Sequence, residues 1–362
     1  MMTAYEFSAD DHRFMAEALR LAERGRLTAD PNPAVGCVIV QDGEIVGRGF
    51  HRAAGEAHAE VHALREAGVR ARGATAYVTL EPCSHHGRTP PCAEALIEAG
   101  IGEVIAAMVD PFPANAGNGL DRLARAGIKV RSGLMEPAAR ALNAGFVSRF
   151  ERGRPWVRVK LAISQDGRTT GPDGRSKWIT GAAARQDVQR WRGRASAILT
   201  GIGTVLADDP HLNLRLPGID RWPLRVVVDS RARLTERARM LQLNGRVLVA
   251  TAGTVSPWQR DGVEWLALPA PDGQRVDLAA LMGALSERAV NEVHVEAGPI
   301  LAGALIEAGL VDELLVYQAP VLLGEGSPML ALPGMENFDD RHHLELLDAR
   351  RIGADWRFRY RL

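Results

Sequence analysis

The 362-residue chain holds one set of residues whose types are chemically specific: His58-Ala59-Glu60, then Glu81-Pro82-Cys83, then Cys92. One histidine and two cysteines suit zinc, and three protein ligands leave a fourth tetrahedral position open to water. Zinc lowers the pKa of such a water to roughly 7, which makes hydroxide available at neutral pH. A carboxylate that does not bind the metal then carries protons to and from the reacting atoms. Glu60, two residues after His58, suits that role. Residues two apart on a regular helix point about 200° apart. His58 must therefore sit at or just before a helix start if both side chains are to converge. Cys92 also precedes an apolar helical run, where a helix N-terminus would favour its thiolate.

Competing readings fit less well. A structural zinc site normally closes with a fourth Cys or His. His62 follows His58 by four residues, but a zinc-protease helix needs Glu directly after the first His, where Ala59 stands. Cys37 lies within the apolar run 35–40 and reads as a small core residue. In the second half, Gly201-Ile202-Gly203 follows an apolar run, but Leu206 replaces the third glycine of a dinucleotide fingerprint. Residues 292–295, followed by Glu296, Gly298, Pro299 and an apolar helix, fit better. Such a helix N-terminus presents amides to a phosphate, although a plain strand–helix turn also explains it.

The elements that must carry these residues alternate. Helices are expected at 10–23, 59–67, 92–99, 120–126 and 137–150, and strands at 35–40, 45–50, 76–80, 104–109 and 128–130. Asp42-Gly43 reads as a hairpin turn. The charged segment 151–155, with Gly and Pro, marks a domain boundary, giving domains 1–150 and 151–362. Strands then follow at 156–163, 197–200, 224–229, 246–250, 264–268, 292–295 and 313–319, with helices at 182–191, 278–288 and 300–308. Two final strands, 344–348 and 355–362, suggest an antiparallel end to a mostly parallel sheet. The fold class is α/β in both halves.

Composition narrows the function. Hydrophobic residues make up 46% and charged residues 24%, which excludes disorder. The 44 basic and 44 acidic side chains cancel, which argues against a broad nucleic-acid or anionic-membrane footprint. Three cysteines are too few for a disulfide framework. The first residues show no secretory pattern, and no apolar run has membrane-spanning length, so a cytoplasmic enzyme is expected.

Residues 31–36 (Pro-Asn-Pro-Ala-Val-Gly), 58–60 and 79–92 (Thr-Leu-Glu-Pro-Cys through Pro-Pro-Cys) resemble the deaminase domain of the bifunctional riboflavin-biosynthesis deaminase–reductases. Residues 160–169, 176–180, 204–210 and 295–299 resemble the reductase domain of the same family. The eight residues between Cys83 and Cys92 exceed the usual two-residue deaminase spacing, and the family's insertion carries substrate contacts. The resemblance implies a cytidine-deaminase-like α/β/α zinc domain followed by a dihydrofolate-reductase-like domain using NADPH. It implies zinc ligands His58, Cys83 and Cys92 with Glu60 catalytic, and Asn32, His51, His85 and Arg88 around the substrate. For NADPH it implies Ala162, Trp178, Thr204, Asp208, Ser230 and the turn Gly298, Pro299, Ile300, Leu301, Ala302, Gly303 and Ala304. Reductase substrate contacts would be Ser176, Arg192, Leu212, Arg215 and Glu296, the arginines clamping a ribose phosphate. Ser230, with Arg231 or Arg233, would face the adenosine 2′-phosphate. Lys160, Asp166 and Glu296 are all candidates for the reductase acid.

The expected reaction is deamination of a diamino-ribosylamino-pyrimidinone 5′-phosphate, then reduction of its ribosyl to a ribityl group. A homo-oligomer acting on this small molecule, without nucleic acid or membrane, is expected. A nucleic-acid-editing deaminase, a deaminase with an inactive scaffold half, and a zinc-stabilised non-enzyme are the alternatives.

Overall fold

The computed structural model describes residues 6–85, 91–253, 257–334, 339 and 341–362. The chain divides into two compact units, Met1–Gly153 and Arg154–Leu362.

The first unit is built on a five-stranded sheet. Its strands are β1 (Gly36–Gln41), β2 (Glu44–Phe50), β3 (Thr75–Val78), β4 (Glu103–Ala106) and β5 (Lys129–Ser132), in the order β2-β1-β3-β4-β5. Strand β1 runs antiparallel to β2 and β3, and β3, β4 and β5 run parallel. Asp42 and Gly43 both have positive φ, as the β1–β2 hairpin turn requires. The period of two along β1 splits its side chains between two cores. Cys37 and Ile39 pack with α2 (Ala59–Ala67), α3 (Cys92–Glu98) and α4 (Asn118–Arg125). Val38 and Val40 pack with α1 (Ala9–Gly25), α5 (Glu136–Leu142) and α6 (Ala144–Arg152). Cys37 is thus a core residue.

The single helix expected over 137–150 is two helices. Asn143 stands between them with non-helical backbone (φ −111°, ψ 32°), its side-chain amide bonded across the fold. It accepts from the Ala34 amide at 2.8 Å and donates to the Ala34 carbonyl at 2.9 Å.

Helix α2 lies against β2 with no side chain between the backbones. A Cβ at Gly49 would strike the Ala59 carbonyl, and one at Gly47 the Ala63 carbonyl. Those two glycines fix the height and tilt of the helix that begins at His58.

The second unit has a nine-stranded sheet ordered β10-β9-β8-β7-β11-β6-β12-β14-β13. Its strands are β6 (Trp156–Ile163), β7 (Ala197–Gly201), β8 (Leu224–Val228), β9 (Val247–Thr251), β10 (Val263–Ala267), β11 (Glu292–Val295), β12 (Glu313–Gln318), β13 (Glu345–Ile352) and β14 (Asp355–Arg361). All neighbours are parallel up to β12, and β14 and β13 close the edge antiparallel. One face packs on α9 (Leu278–Glu287) and α10 (Pro299–Glu307). The other packs on α7 (Ala182–Arg194) and on α8 (Ile202–Asp208), a seven-residue helix absent from the sequence expectation.

Alternation on β6 sends Val157, Val159, Leu161 and Ile163 to the first core. Arg158, Lys160 and Ala162 therefore face the α7 side. On β11 the same rule sends Val293 and Val295 inward to that core and Glu292 and His294 to the opposite face. Arg158, only 1% exposed, bonds Glu292 at 2.8 Å and Glu313 at 3.0 Å. Although burial disfavours its charge, Arg158 and Arg359 hold the Glu313 carboxyl down to about 2.

Gly49→Ala is expected to destabilise the first unit by about 1–3 kcal/mol in urea unfolding; a change within about 0.5 kcal/mol would contradict the close helix–strand approach. The depressed Glu313 carboxyl makes a second prediction. Its stabilisation is complete above the unfolded value of about 4.3 and fades as pH falls toward 2. Glu313→Gln should flatten the second unit's stability between those pH values, and an unaltered acid limb would refute the linkage.

Candidate active sites

In the first unit the sequence condition on His58 is met. Helix α2 begins at Ala59, and His58 is its N-cap in extended backbone (φ −73°, ψ 168°). Cys92 is the first residue of α3. His58 Nδ1 lies 3.3 Å from Cys92 Sγ and 3.6 Å from Cys83 Sγ. The three ligand atoms lie within 4.8 Å of one another. This histidine–dithiol set fits zinc in both number and softness. Glu60 is buried beside it, and its Oε2 has no hydrogen-bond partner among the described residues. Burial, and then the Cys83 charge, push the Glu60 carboxyl up to about 7.

The amide at the start of α3 is aimed at the neighbouring sulfur. Cys83 accepts the Cys92 backbone amide at 3.3 Å, so the start of α3 serves Cys83. Hydrogen bonding from the Cys92 thiol and from His58 lowers the Cys83 thiol to about 4, while bonding to Cys83 and burial raise Cys92. The His58 imidazole is raised by its bond to Cys83.

His51 and Asn32 adjoin this cluster. The His51 ring meets His58 edge-on with centroids 5.2 Å apart. Its Nε2 lies 3.1 Å from Asn32 Nδ2 and its Nδ1 3.3 Å from the Ala57 carbonyl. This network assigns the proton to Nδ1, leaving Nε2 to accept from the Asn32 amide. Burial lowers the His51 pKa. His85 is exposed, its ring edge-on to Phe112 at 5.5 Å. Arg88 lies outside the described residues.

Glu81 received no role from the sequence, yet its carboxylate is bonded to backbone on both oxygens. It is buried and accepts four backbone amides: Asp110 and Gly117 at 2.9 Å on Oε2, and Gly119 at 2.8 Å and Leu120 at 3.3 Å on Oε1. The available signal was an acid at the end of an otherwise apolar strand.

In the second unit the expected residues gather at the C-terminal edge of the parallel strands, the usual ligand edge of such sheets. Arg192 grips Glu296 with both ends of its fork, Nε to Oε1 at 2.5 Å and Nη2 to Oε2 at 2.9 Å. Its Nη1 donates to the Asn213 carbonyl at 2.8 Å, next to buried Leu212. Arg215 donates to Asn213 Oδ1 at 2.9 Å. Lys160 is an electrostatic neighbour of both Glu296 and Arg192, and burial lowers its pKa. Burial opposes charge on Glu296 too, but Arg192 and His294 hold it well below the usual carboxylate range. His294, another residue without an expected role, lies with Nε2 3.4 Å from Glu296 Oε1. Asp166 is a clamp: the Ser164 hydroxyl and the amides of Leu323 and Gly324 hold it at about 2.

The expected cofactor residues line the same edge. Ala162 is on β6, and Thr204 and Asp208 are on α8, directly after β7. Ser230 follows β8, and Gly298 caps α10 after β11. A Cβ at Gly201 would lie 3.2 Å from Leu301, so the starts of α8 and α10 adjoin. Lys177 pairs with Asp208 at 3.1 Å, bringing Ser176 and Trp178 to α8. Trp178 and Ile300 are 69% and 79% exposed, an apolar surface open to a planar ring. Ala302 is in the core, and Gly303 packs against the Ala331 carbonyl, so both lie beneath that turn. An exposed indole and a glycine-capped helix at this edge fit a dinucleotide. Among the described residues, no helix is long and apolar enough to cross a membrane.

Two family models match the chain in order: the cytidine and deoxycytidylate deaminase zinc-binding region over residues 8–108, and the RibD C-terminal domain over 155–358. The riboflavin biosynthesis protein RibD of Escherichia coli K12 is 51% identical over 358 residues, covering 95% of this chain and 97% of that protein. That of Haemophilus influenzae is 46% identical, covering 98% of each. The structure of Acinetobacter baumannii RibD superposes with a TM-score of 0.89 at 44% identity, over 97% of this chain and 98% of that one. A deaminase/reductase from Thermotoga maritima gives 0.88 at 32% identity, with the same coverage. The chain belongs to the RibD family, the bifunctional deaminase–reductases of riboflavin biosynthesis, with a zinc-binding deaminase half and a reductase half of the NADPH-using type.

Proposed function

We propose that this enzyme deaminates 2,5-diamino-6-ribosylamino-4(3H)-pyrimidinone 5′-phosphate and then reduces its ribosyl group, giving 5-amino-6-ribitylaminouracil 5′-phosphate. The observation that carries the reading is the meeting of His58, Cys83, Cys92 and buried Glu60 at the starts of α2 and α3.

His58, Cys83 and Cys92 would hold zinc, which when bound supplies a water acidic enough to attack at neutral pH. Glu60 would take up a proton at its carboxylate and pass one to the departing amine, so ammonia would leave as a neutral molecule. Its unpartnered Oε2 and raised pKa suit a group that must both take and give. Asn32 and His51 border the site and orient the pyrimidine. His85 is assigned to the ribose-phosphate side of the substrate, as is Arg88 by its place in the family motif.

In the second unit Ala162, Trp178, Thr204, Asp208, Ser230 and the Gly298–Ala304 turn would hold NADPH, which when bound would supply a hydride. Hydride addition at C1′ of the opened ribosylamine leaves one proton to be provided. Lys160 is the donor we assign, because Asp166 and Glu296 are both held as carboxylates. Arg192 and Arg215 bind phosphate, with Ser176, Leu212 and Glu296 completing the substrate pocket. Ser230, with Arg231 or Arg233, reads the adenosine 2′-phosphate. The enzyme is further read as cytoplasmic, independent of nucleic acid, and homo-oligomeric. Exposed Leu346 and Trp356 on the terminal hairpin support the last point.

Incubation of purified protein with the diamino substrate should release ammonia without NADPH, and NADPH oxidation should follow only after deamination. Oxidation before any ammonia appears would contradict this order. Arg192→Met should abolish NADPH oxidation while ammonia release continues at the wild-type rate; loss of both would break the division of labour.

A further inference from the structure

We propose that Glu81 is a positioning residue for the deaminase metal centre: it caps α4 from outside and so locks the backbone on both sides of Cys83. The inference rests on reading Cys83 as a zinc ligand.

The first turn of any helix has amides without acceptors. The N-cap of α4 is Gly117, which has no side chain to serve them. Glu81 supplies the missing acceptor across the fold. Its Oε1 takes the Gly119 and Leu120 amides of that first turn, and its Oε2 takes Gly117 and Asp110. Four donors match the roughly four acceptor sites of a carboxylate, and no neutral side chain of the same length offers as many. The helix N-terminus favours the negative charge, and the bonds are charge-assisted.

The same contact bears directly on the metal ligand. A Cβ at Gly119 would collide with the Pro82 carbonyl, so the first turn of α4 rests on the backbone between Glu81 and Cys83. Beyond Cys83 a second tie closes the frame. Fully buried Asn115 accepts the Ser84 amide at 2.8 Å and the Ser84 hydroxyl at 3.0 Å, and donates to Asp110 at 3.1 Å. Cys83 is thus bracketed by two residues bonded to one segment, 110–120. That segment also carries Phe112, against which the His85 ring rests. The thiolate and a substrate-side histidine therefore share one support.

Glu81→Gln keeps the shape but turns an acceptor into an NH2 group facing amide donors. In the full-length chain, zinc affinity is measured by chelator competition, and the cobalt-substituted protein is examined by absorption spectroscopy. We expect zinc binding to weaken by about 10-fold or more, the size typical of lost outer-shell support. The thiolate-to-cobalt band should shift, and reductase turnover of the same chain should not change. Wild-type zinc affinity and cobalt spectrum, with only a lower unfolding temperature, would overturn the proposal. If Glu81→Gln does not fold, Asn115→Ser decides: zinc binding weakened by about 10-fold supports the frame, and wild-type affinity refutes it. Cys83→Ser separates the underlying assignment, since wild-type zinc affinity in that variant would remove Cys83 as a ligand whatever Glu81 does.

Discussion

The direct backbone contact between α2 and the β1–β2 hairpin is the constraint on which the deaminase half depends. Without side chains at Gly47 and Gly49, the helix lies against the strands and its first residue stands at a set height above the sheet. His58 then projects from extended backbone and Glu60 from the first turn, so two side chains that a continuous helix would point apart reach one place. The start of α3 meets them there, bringing Cys92 and its amide to Cys83. Chemistry that needs three ligands and one proton carrier within a few ångströms is thereby placed on rigid elements.

The reductase half solves a different problem. Parallel strands covered by helices on both faces are ordinarily apolar throughout. Strands β6 and β11 carry Arg158, Lys160, Glu292 and His294 on the face toward α7, with Glu296 immediately beyond β11. The buried arginines are tolerated because carboxylates neutralise them, Arg158 with Glu292 and Glu313, Arg192 with Glu296. Removing one member of such a pair leaves a buried charge without its counter-ion. The ladder of pairs runs along the strands toward the C-terminal edge and ends at Glu296, where the substrate groups collect.

Much of this was readable from residue types. His58, Glu60, Cys83 and Cys92 stand out because few other arrangements use that set, and the helix-start requirement on His58 follows from helical geometry alone. The bounds of α2, β6 and β11 follow from periodicity and flanking residues. What escaped depends on partners distant in sequence. Asn143 bonds Ala34, and Glu81 finds its amides at 110–120; neither pairing leaves a local pattern. The amide at the start of α3 serves Cys83 rather than Cys92, a contact between residues nine apart that no local pattern marks. Helix α8 is short and begins Ile-Gly, so it lacks the repeat that marks longer helices. Asp166 looked like an acid until the amides of Leu323 and Gly324 were seen to occupy it.

The central claim is that two separate sets of residues in one chain perform two consecutive reactions, with Glu60 the proton carrier of the first. Glu60→Gln tests it most directly, with zinc content, ammonia release and NADPH oxidation measured on the same preparation. The account predicts wild-type zinc content, no ammonia from the diamino substrate, and undiminished NADPH oxidation when the deaminated intermediate is supplied. Ammonia release at the wild-type rate by a zinc-loaded Glu60→Gln protein would contradict it.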